Sequence, residues 1–267
     1  MDKQIGFIMK KILRKIPGYK KIRAYYSVIK GTYSIKYGIF GKAKLLRNFF
    51  SDLKNYSKLQ ENKKFIFSPD NISPQIYDNV PHSQQLDYVY FYQDSWCAEK
   101  VFQNKPEHHF DIGSKAEMLG IISQFTPTTM IDLRPLDVNL PNLEFVQGDI
   151  LSLPFEDNSI KSLSAICVVE HIGLGRYGDS LDQFGSEKAV EEFKRILANN
   201  GNLYISLPID KENKIYFNAH RAFTREYILE LFKPLRLIEE KYIYKNELIN
   251  NYDSERGFGT GLFWFKK

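Results

Sequence analysis

The stretch EHIGLGRYGDSLDQFG (170–185) packs Glu170, His171, Arg176, Tyr177, Asp179 and Asp182 into thirteen residues. An imidazole titrates close to neutrality, so His171 is a natural general base. Asp179 or Asp182 could serve as the base or orient the histidine. Arg176 could hold a phosphate or carboxylate of a substrate, with Tyr177 and Asp182 as neighbouring contacts. Glycines at 173, 175 and 178 allow a tightly folded loop. The competing reading is a loop whose charges only pair and cap helices, but polar loops are rarely this dense. Farther on, Phe217-Asn218-Ala219-His220-Arg221 supplies a second candidate base, His220, and a second candidate substrate contact, Arg221. Its competitor is an ordinary surface turn before a helix capped by Thr224.

A second group of residues suits a nucleotide. Asp111-Ile112-Gly113 ends an apolar segment and leads into a helical one. A glycine there lets the backbone approach a ligand, and the helix start favours negative charge. Asp132 follows Gly113 by nineteen residues, where an acid can accept hydrogen bonds from both ribose hydroxyls. Asp149 ends a third segment, where a carboxylate can meet an adenine amino group. One aspartate in such a place is usually a helix cap; three make that reading weaker. His82, His108 and His109 have no partner spacing for a metal and read as structural.

Those residues need a frame to bring them together, and the pattern supplies one. HHFDI (108–112), TTMIDL (128–133), LEFVQGD (143–149), SLSAICVVE (162–170) and GNLYISLP (201–208) read as strands. KAEMLGIISQF places Met118, Leu119, Ile122 and Phe125 on one helical face, and SEKAVEEFKRILANNG reads as a helix capped by Ser186. TREYILELF is a further helix. RLIEEKYIYK and GLFWFKK then form an antiparallel pair that closes the sheet. YVYFYQDSWCAEKVF reads as a helix beside the first strand. Alternation of this length predicts an α/β fold with a doubly wound, mostly parallel, Rossmann-like sheet. Ligands of such sheets bind beyond the carboxyl ends of the strands, where every candidate above falls.

The bulk properties agree with a folded protein. Of 267 residues, 43% are hydrophobic and 15% aromatic, enough for a packed core. Cys97 and Cys167 are too few for a disulfide framework and have no metal spacing, so a reducing compartment is expected. No run is long enough to span a membrane, and Ile5 to Met9 is too short for a signal peptide, which predicts a cytoplasmic protein. Charge is unevenly placed. Residues 1–54 carry 14 Lys and Arg against Asp2 and Asp52, a balance of +12; since the whole chain is +5, the rest sums to −7. Ile5, Ile8, Met9, Ile12 and Ile16 form a helical stripe opposite Lys10, Lys11, Arg14 and Lys15. The segment 1–54 therefore reads as a basic amphipathic helical arm, either lying on anionic lipid at the inner face of the membrane or packing on its own domain. Nucleic acid is not expected, because no recognition motif accompanies the tyrosines. Residues 55–89, with Pro69, Pro74 and Pro81, read as a linker or wrapping segment, and 90–267 as the Rossmann-like domain.

The motif series DIG, MIDLRP, FVQGDILSLPFEDNSI, VVEHI and FKRILANNGNLYISLP resembles the order found in class I S-adenosylmethionine-dependent methyltransferases. HFDIGS, EHIGLGRYGDSLDQFG and FNAHR further resemble a bacterial family of uncharacterised proteins, domain of unknown function 268, from about Tyr90 to the end. The resemblance implies S-adenosylmethionine as cofactor, held by Asp111, Gly113, Ser114, Asp132, Asp149 and Glu170. Members are similar to proteins encoded with polysaccharide and lipopolysaccharide assembly enzymes, so the implied acceptor is a hydroxyl of an envelope glycan or its sugar-nucleotide precursor. One departure bears on the cofactor. Such enzymes usually read DxGxGxG, whereas Lys115 and Glu117 stand here in place of the later glycines. Lys115 is expected to crowd the loop and to suit a phosphate, which keeps a nucleotide-sugar enzyme and a non-catalytic binding module as alternatives.

Overall fold

The computed structural model describes residues 39–59 and 86–267 apart from residue 135. The chain divides into two compact units, residues 1–85 and 86–267. In the first, helix α1 (Ile39–Leu59) places Leu45, Phe49 and Leu53 four residues apart, all half-buried between exposed lysines and arginines. With neither proline nor glycine after Gly41, it runs through residue 54, so the arm and linker expected from sequence are not separated there. The apolar stripe at residues 5–16 lies outside the described residues. Among the described residues no helix is long and apolar enough to cross a membrane.

The second unit opens with helix α2 (Tyr88–Asn104), capped by Asp87, whose carboxylate accepts from the amides of Val89 and Tyr90. The boundary expected at residue 90 thus falls inside the first turn of a helix. There follow β1 (His109–Ile112), α3 (Ala116–Ile122), β2 (Thr128–Asp132), β3 (Leu143–Gln147) and β4 (Ile160–Ile166). A 3-10 turn (Val169–His171), α4 (Gly185–Ile196) and β5 (Leu197–Ile209) come next. The hairpin β6 (Lys214–Tyr216) and β7 (His220–Ala222), then α5 (Arg225–Leu231), β8 (Arg236–Tyr244), β9 (Glu247–Ile249) and β10 (Gly259–Lys266) complete it.

The eight-stranded sheet has the order β3-β2-β1-β4-β5-β10-β8-β9. Strands β1 to β5 are parallel, and β10 is antiparallel to both β5 and β8. This is the Rossmann-like sheet with an antiparallel carboxyl-terminal strand. The last two long strands do not merely close its edge, however. The final strand inserts between β5 and β8, because its successive residues Leu262 and Phe263 are apolar on opposite faces and only a central position buries both.

Helices cover the two faces. Ala189, Val190, Phe193 and Ile196 of α4, with Ile228 of α5, pack on one. Their spacing gives α4 a single apolar stripe opposite its charged residues, and burial of a side chain such as Phe193 contributes about 2–3 kcal/mol. Trp96, Cys97 and Val101 of α2 and Met118, Leu119 and Ile122 of α3 pack on the other. Two local details differ from the sequence expectation. Helix α3 stops at Ile122, and the chain tightens into turns through Ser123–Phe125 before Pro127 leads into β2; Phe125 is left exposed against the edge of Phe102. Ser186 does not cap α4 but lies within it, donating to the carbonyl of Val169.

Candidate active site

Strand β1 sits between β2 and β4, so the chain leaves it in one direction and returns on the other side. That switch point opens a crevice beyond the strand ends. The first turn out of β1 rests on Gly113, in left-handed backbone with φ +66°. A Cβ at this position would lie 3.3 Å from Val168 Cγ1 and 3.7 Å from Asp132 Oδ2. The turn is held from below. Asp111 is fully buried, and its carboxylate accepts from the Ser114 amide (2.9 Å), the Ser114 hydroxyl (2.6 Å) and the Ser164 hydroxyl. Burial raises its pKa to about 6 against the opposing effect of these hydrogen bonds. Asp111 therefore shapes the turn and does not reach a ligand, contrary to the expectation from sequence. The Ser114 hydroxyl is likewise spent inward, accepting from the Ile166 amide.

Asp132 ends β2 half-buried, with Oδ1 taken by the Arg134 amide and Oδ2 on the Gly113 side. Asp149 is exposed, and its Oδ1 accepts from Leu151 two residues on. The crevice wall there is made by Gly148 and Ile150, so the structure does not bring Asp149 into it. Ile112, Ile131 and Val168 complete an apolar lining around Asp132.

A second chamber lies alongside, walled by Tyr90, Glu170, Arg176, His220, Phe258 and Thr260. Gly113, Cys167, His171 and Tyr177 line both chambers. The loop after β4 thus supplies the partition. Strand β4 ends at Ile166, Cys167 takes a left-handed φ of +54°, and the 3-10 turn brings Glu170 and His171 back over the strand end. His171 Nδ1 lies 2.7 Å from the Ala219 carbonyl oxygen; that acceptor fixes the proton on Nδ1 and leaves a lone pair on Nε2. Burial lowers its pKa to about 4, so the ring is neutral near pH 7. Tyr177 packs edge-on to it, with centroids 5.6 Å apart.

The remaining candidates separate into those facing the chambers and those holding the loop. Arg176 is exposed, donates to the Ala219 carbonyl and faces the second chamber. His220 packs on Tyr216 and Phe258 in its wall; burial, then the nearby Arg176 charge, lowers its pKa. Asp179 borders the first chamber, but its carboxylate accepts from the amides of Gly173 (2.7 Å), Gly175 (3.2 Å) and Tyr177 (3.1 Å). Burial raises its pKa, yet the amides outweigh this and leave it lowered, which unsuits it as a base. Asp182 caps Phe184 and pairs with Lys188, away from both chambers. Arg221 is buried and donates to the carbonyls of Ile172, Asp182 and Gln183 and to Ser186. Asp179, Asp182 and Arg221 are thus loop-holding residues, a correction in each case: the short carboxylates bond to nearby amides or to Lys188, and both terminal nitrogens of the buried arginine are spent on the loop.

Lys115 does not crowd the Gly113 turn. Its ammonium stands over the Tyr90 ring, 3.1 Å from the centroid, where α2 offers an aromatic face. Among the described residues no cluster of His, Cys, Asp and Glu could hold a metal. Sequence reasoning missed Tyr90 and Phe258 as site residues. Both lie in aromatic-rich stretches where most neighbours are core, so type and spacing did not single them out.

The fold and crevice define a Rossmann-like α/β architecture with a site at its topological switch point. The family model described as "Caenorhabditis protein of unknown function, DUF268" matches residues 156–254, which includes the partition loop and the β6–β7 hairpin. The match is narrower than the resemblance read from Tyr90 onward, and its description names Caenorhabditis where a bacterial family was expected. No curated protein matches the chain. Among solved structures, the [4+2]-cyclase SpnF superposes with a TM-score of 0.50 at 12% identity, covering 65% of this chain and 80% of its own. A candidate sarcosine dimethylglycine methyltransferase from Galdieria sulphuraria has a TM-score of 0.50 at 14% identity, covering 66% and 85%. One is named for a cyclisation and the other for methyl transfer, so the likeness establishes the fold and leaves the reaction to the site.

Proposed function

We propose that this chain is an S-adenosylmethionine-dependent methyltransferase. The observation that carries the reading is the pair of chambers meeting at His171 and Tyr177. Group transfer needs donor and acceptor held on either side of one point, with a proton acceptor beside it. The first chamber fits the donor's nucleoside. Asp132 Oδ2 is placed for the ribose, Ile131 and Ile150 offer apolar walls for the base, and Gly113 leaves backbone space. The sulfonium supplies the electrophilic methyl carbon; this chain supplies alignment and a neutral imidazole.

The second chamber receives the acceptor, a hydroxyl of an envelope glycan or its sugar-nucleotide precursor. Phe258 offers an exposed face on which a sugar ring can pack, and Arg176 supplies a cation for an anionic substituent. The basic segment 1–54 places the enzyme at the inner face of an anionic membrane from the cytoplasmic side. Calorimetry with S-adenosylhomocysteine against a panel of sugar nucleotides tests the cofactor. Binding of the first alone supports methyl transfer, binding of the second alone replaces it with a nucleotide-sugar enzyme, and binding of neither leaves a non-catalytic module.

A further inference from the structure

Glu170 is an anomaly in the partition. It is 2% exposed, it lines the second chamber, and its Oε2 is buried without a hydrogen-bond partner. An unsatisfied buried oxygen ordinarily costs about 1–3 kcal/mol, and a bound polar group that reached it would remove that cost. Its other oxygen, Oε1, lies 3.7 Å from His171 Nε2, the nitrogen left with a lone pair by the Ala219 contact. That distance is too long for a hydrogen bond, but catalytic contacts commonly tighten when substrate binds.

Resting on the methyl-transfer reading, we propose that Glu170 is the acceptor-side carboxyl of the reaction, relaying the substrate's proton to His171, and not a cofactor ligand. The acceptor hydroxyl lies against Oε2. As its oxygen bonds to the methyl carbon, the carbon–sulfur bond breaks and its electron pair leaves with the sulfur. The hydroxyl proton passes to Oε2 while the proton on Oε1 passes to His171 Nε2. Glu170 finishes neutral, as it began, and the imidazolium returns its proton to solvent. Both groups start in the required state. Burial raises the Glu170 pKa to about 8, against the lowering influence of its own amide, the Cys167 thiol and Arg176, so the carboxyl carries a proton near neutrality. Of the other groups facing it, Tyr90 is raised to about 12 by burial and Cys167 is pushed well up, so neither is ionised there. Around His171, Arg176 and His220 favour the neutral ring and Asp179 opposes them more weakly than burial.

The test begins on ligand-free full-length protein, so it does not depend on the cofactor. Infrared difference spectra of wild type against Glu170→Gln at pH 7 should contain a protonated-carboxyl band that is absent from the variant and fades in wild type as pH rises through about 8. The ¹⁵N signal of His171 should shift over that same interval. An ionised carboxyl at pH 7, or a His171 signal indifferent to it, overturns the relay. The ¹⁵N reading is made on wild type alone and stands even if the variant fails to fold. In folded Glu170→Gln, S-adenosylhomocysteine affinity should stay within about twofold of wild type; a loss of tenfold or more returns Glu170 to the cofactor and sinks the proposal. Wild type that fails to bind S-adenosylhomocysteine at all refutes the functional reading through a different measurement.

Discussion

His171 Nδ1 and the Ala219 carbonyl oxygen lie 2.7 Å apart, which ties the loop after β4 to the turn before β7 through the ring that divides the two chambers. Arg176 donates to the same carbonyl at 2.8 Å. The turn therefore keeps a partner when the imidazole is removed. His171→Ala should fold and bind S-adenosylhomocysteine normally while losing about 10²–10⁴-fold in turnover, the usual general-base contribution. His220→Ala should lose less, chiefly in acceptor KM, because that ring is fixed in the wall by Tyr216 and Phe258. Steady-state kinetics of both variants checks the ranking; the reverse order would move the base to the FNAHR turn.

Asp132 offers the first chamber a carboxylate oxygen, Oδ2, on the Gly113 side. Asp132→Ala should weaken S-adenosylhomocysteine binding by about 1.5–3 kcal/mol, the range for hydrogen bonds to a charged group. Calorimetry on the folded variant reads this directly, and unchanged affinity would place the nucleoside elsewhere.

Arg221 tests the loop rather than the chemistry. Arg221→Met keeps the apolar length but strips donors from the carbonyls of Ile172, Asp182 and Gln183. Leaving such acceptors unmet should lower unfolding stability by about 2–4 kcal/mol in urea titrations. With the loop loosened, acceptor KM should rise more than S-adenosylhomocysteine affinity falls, because Asp132 and Ile150 do not depend on it.

The membrane reading of residues 1–54 rests on their +12 balance. Co-sedimentation of the full chain with vesicles should require anionic lipid and decline with added salt, since surface charges are screened beyond about 8–10 Å at physiological ionic strength. Equal binding to neutral vesicles would remove lipid charge from the account.

Much of the frame was legible because it depends on periodicity. The buried runs at 128–131 and 162–166, the stripe of α4 and the left-handed glycine after β1 are local signals that tertiary contacts reinforce. What failed was the direction in which polar side chains spend their hydrogen bonds. Asp111, Asp149, Asp179 and Asp182 share a residue type with Asp132, yet the first is buried beneath the turn, Asp149 is turned out of the crevice, and the last two spend their carboxylates on loop amides or Lys188. Spacing brings an acid to a strand end; the neighbouring backbone decides whether it faces a ligand. Tyr90 and Phe258 escaped for a related reason, since long-range packing alone assigns them to a chamber and not to the core.

The polar layer under β1 makes a final prediction about pH. His109 is fully buried between the hydroxyls of Ser162 (2.8 Å) and Ser164 (3.0 Å), and Ser164 also donates to Asp111. Burial lowers the His109 pKa from 6.5 to about 3. The folded state thus refuses a proton that the unfolded chain accepts, so this contribution is present above about 6.5 and is lost as pH falls toward 3. Asp111 runs the other way. Raised from 3.8 to about 6 by burial, it holds a proton that the unfolded chain releases, and its contribution is lost as pH rises through about 6. Between about 4 and 6 the two oppose each other. His109→Gln should therefore make stability fall with rising pH across that window relative to wild type, and Asp111→Asn should make it climb. Each departure should approach but not exceed about 1.4 kcal/mol per pH unit, the slope for one proton. Urea unfolding of the three proteins at half-unit steps measures it. Parallel curves would mean that neither group's pKa differs between the folded and unfolded chain.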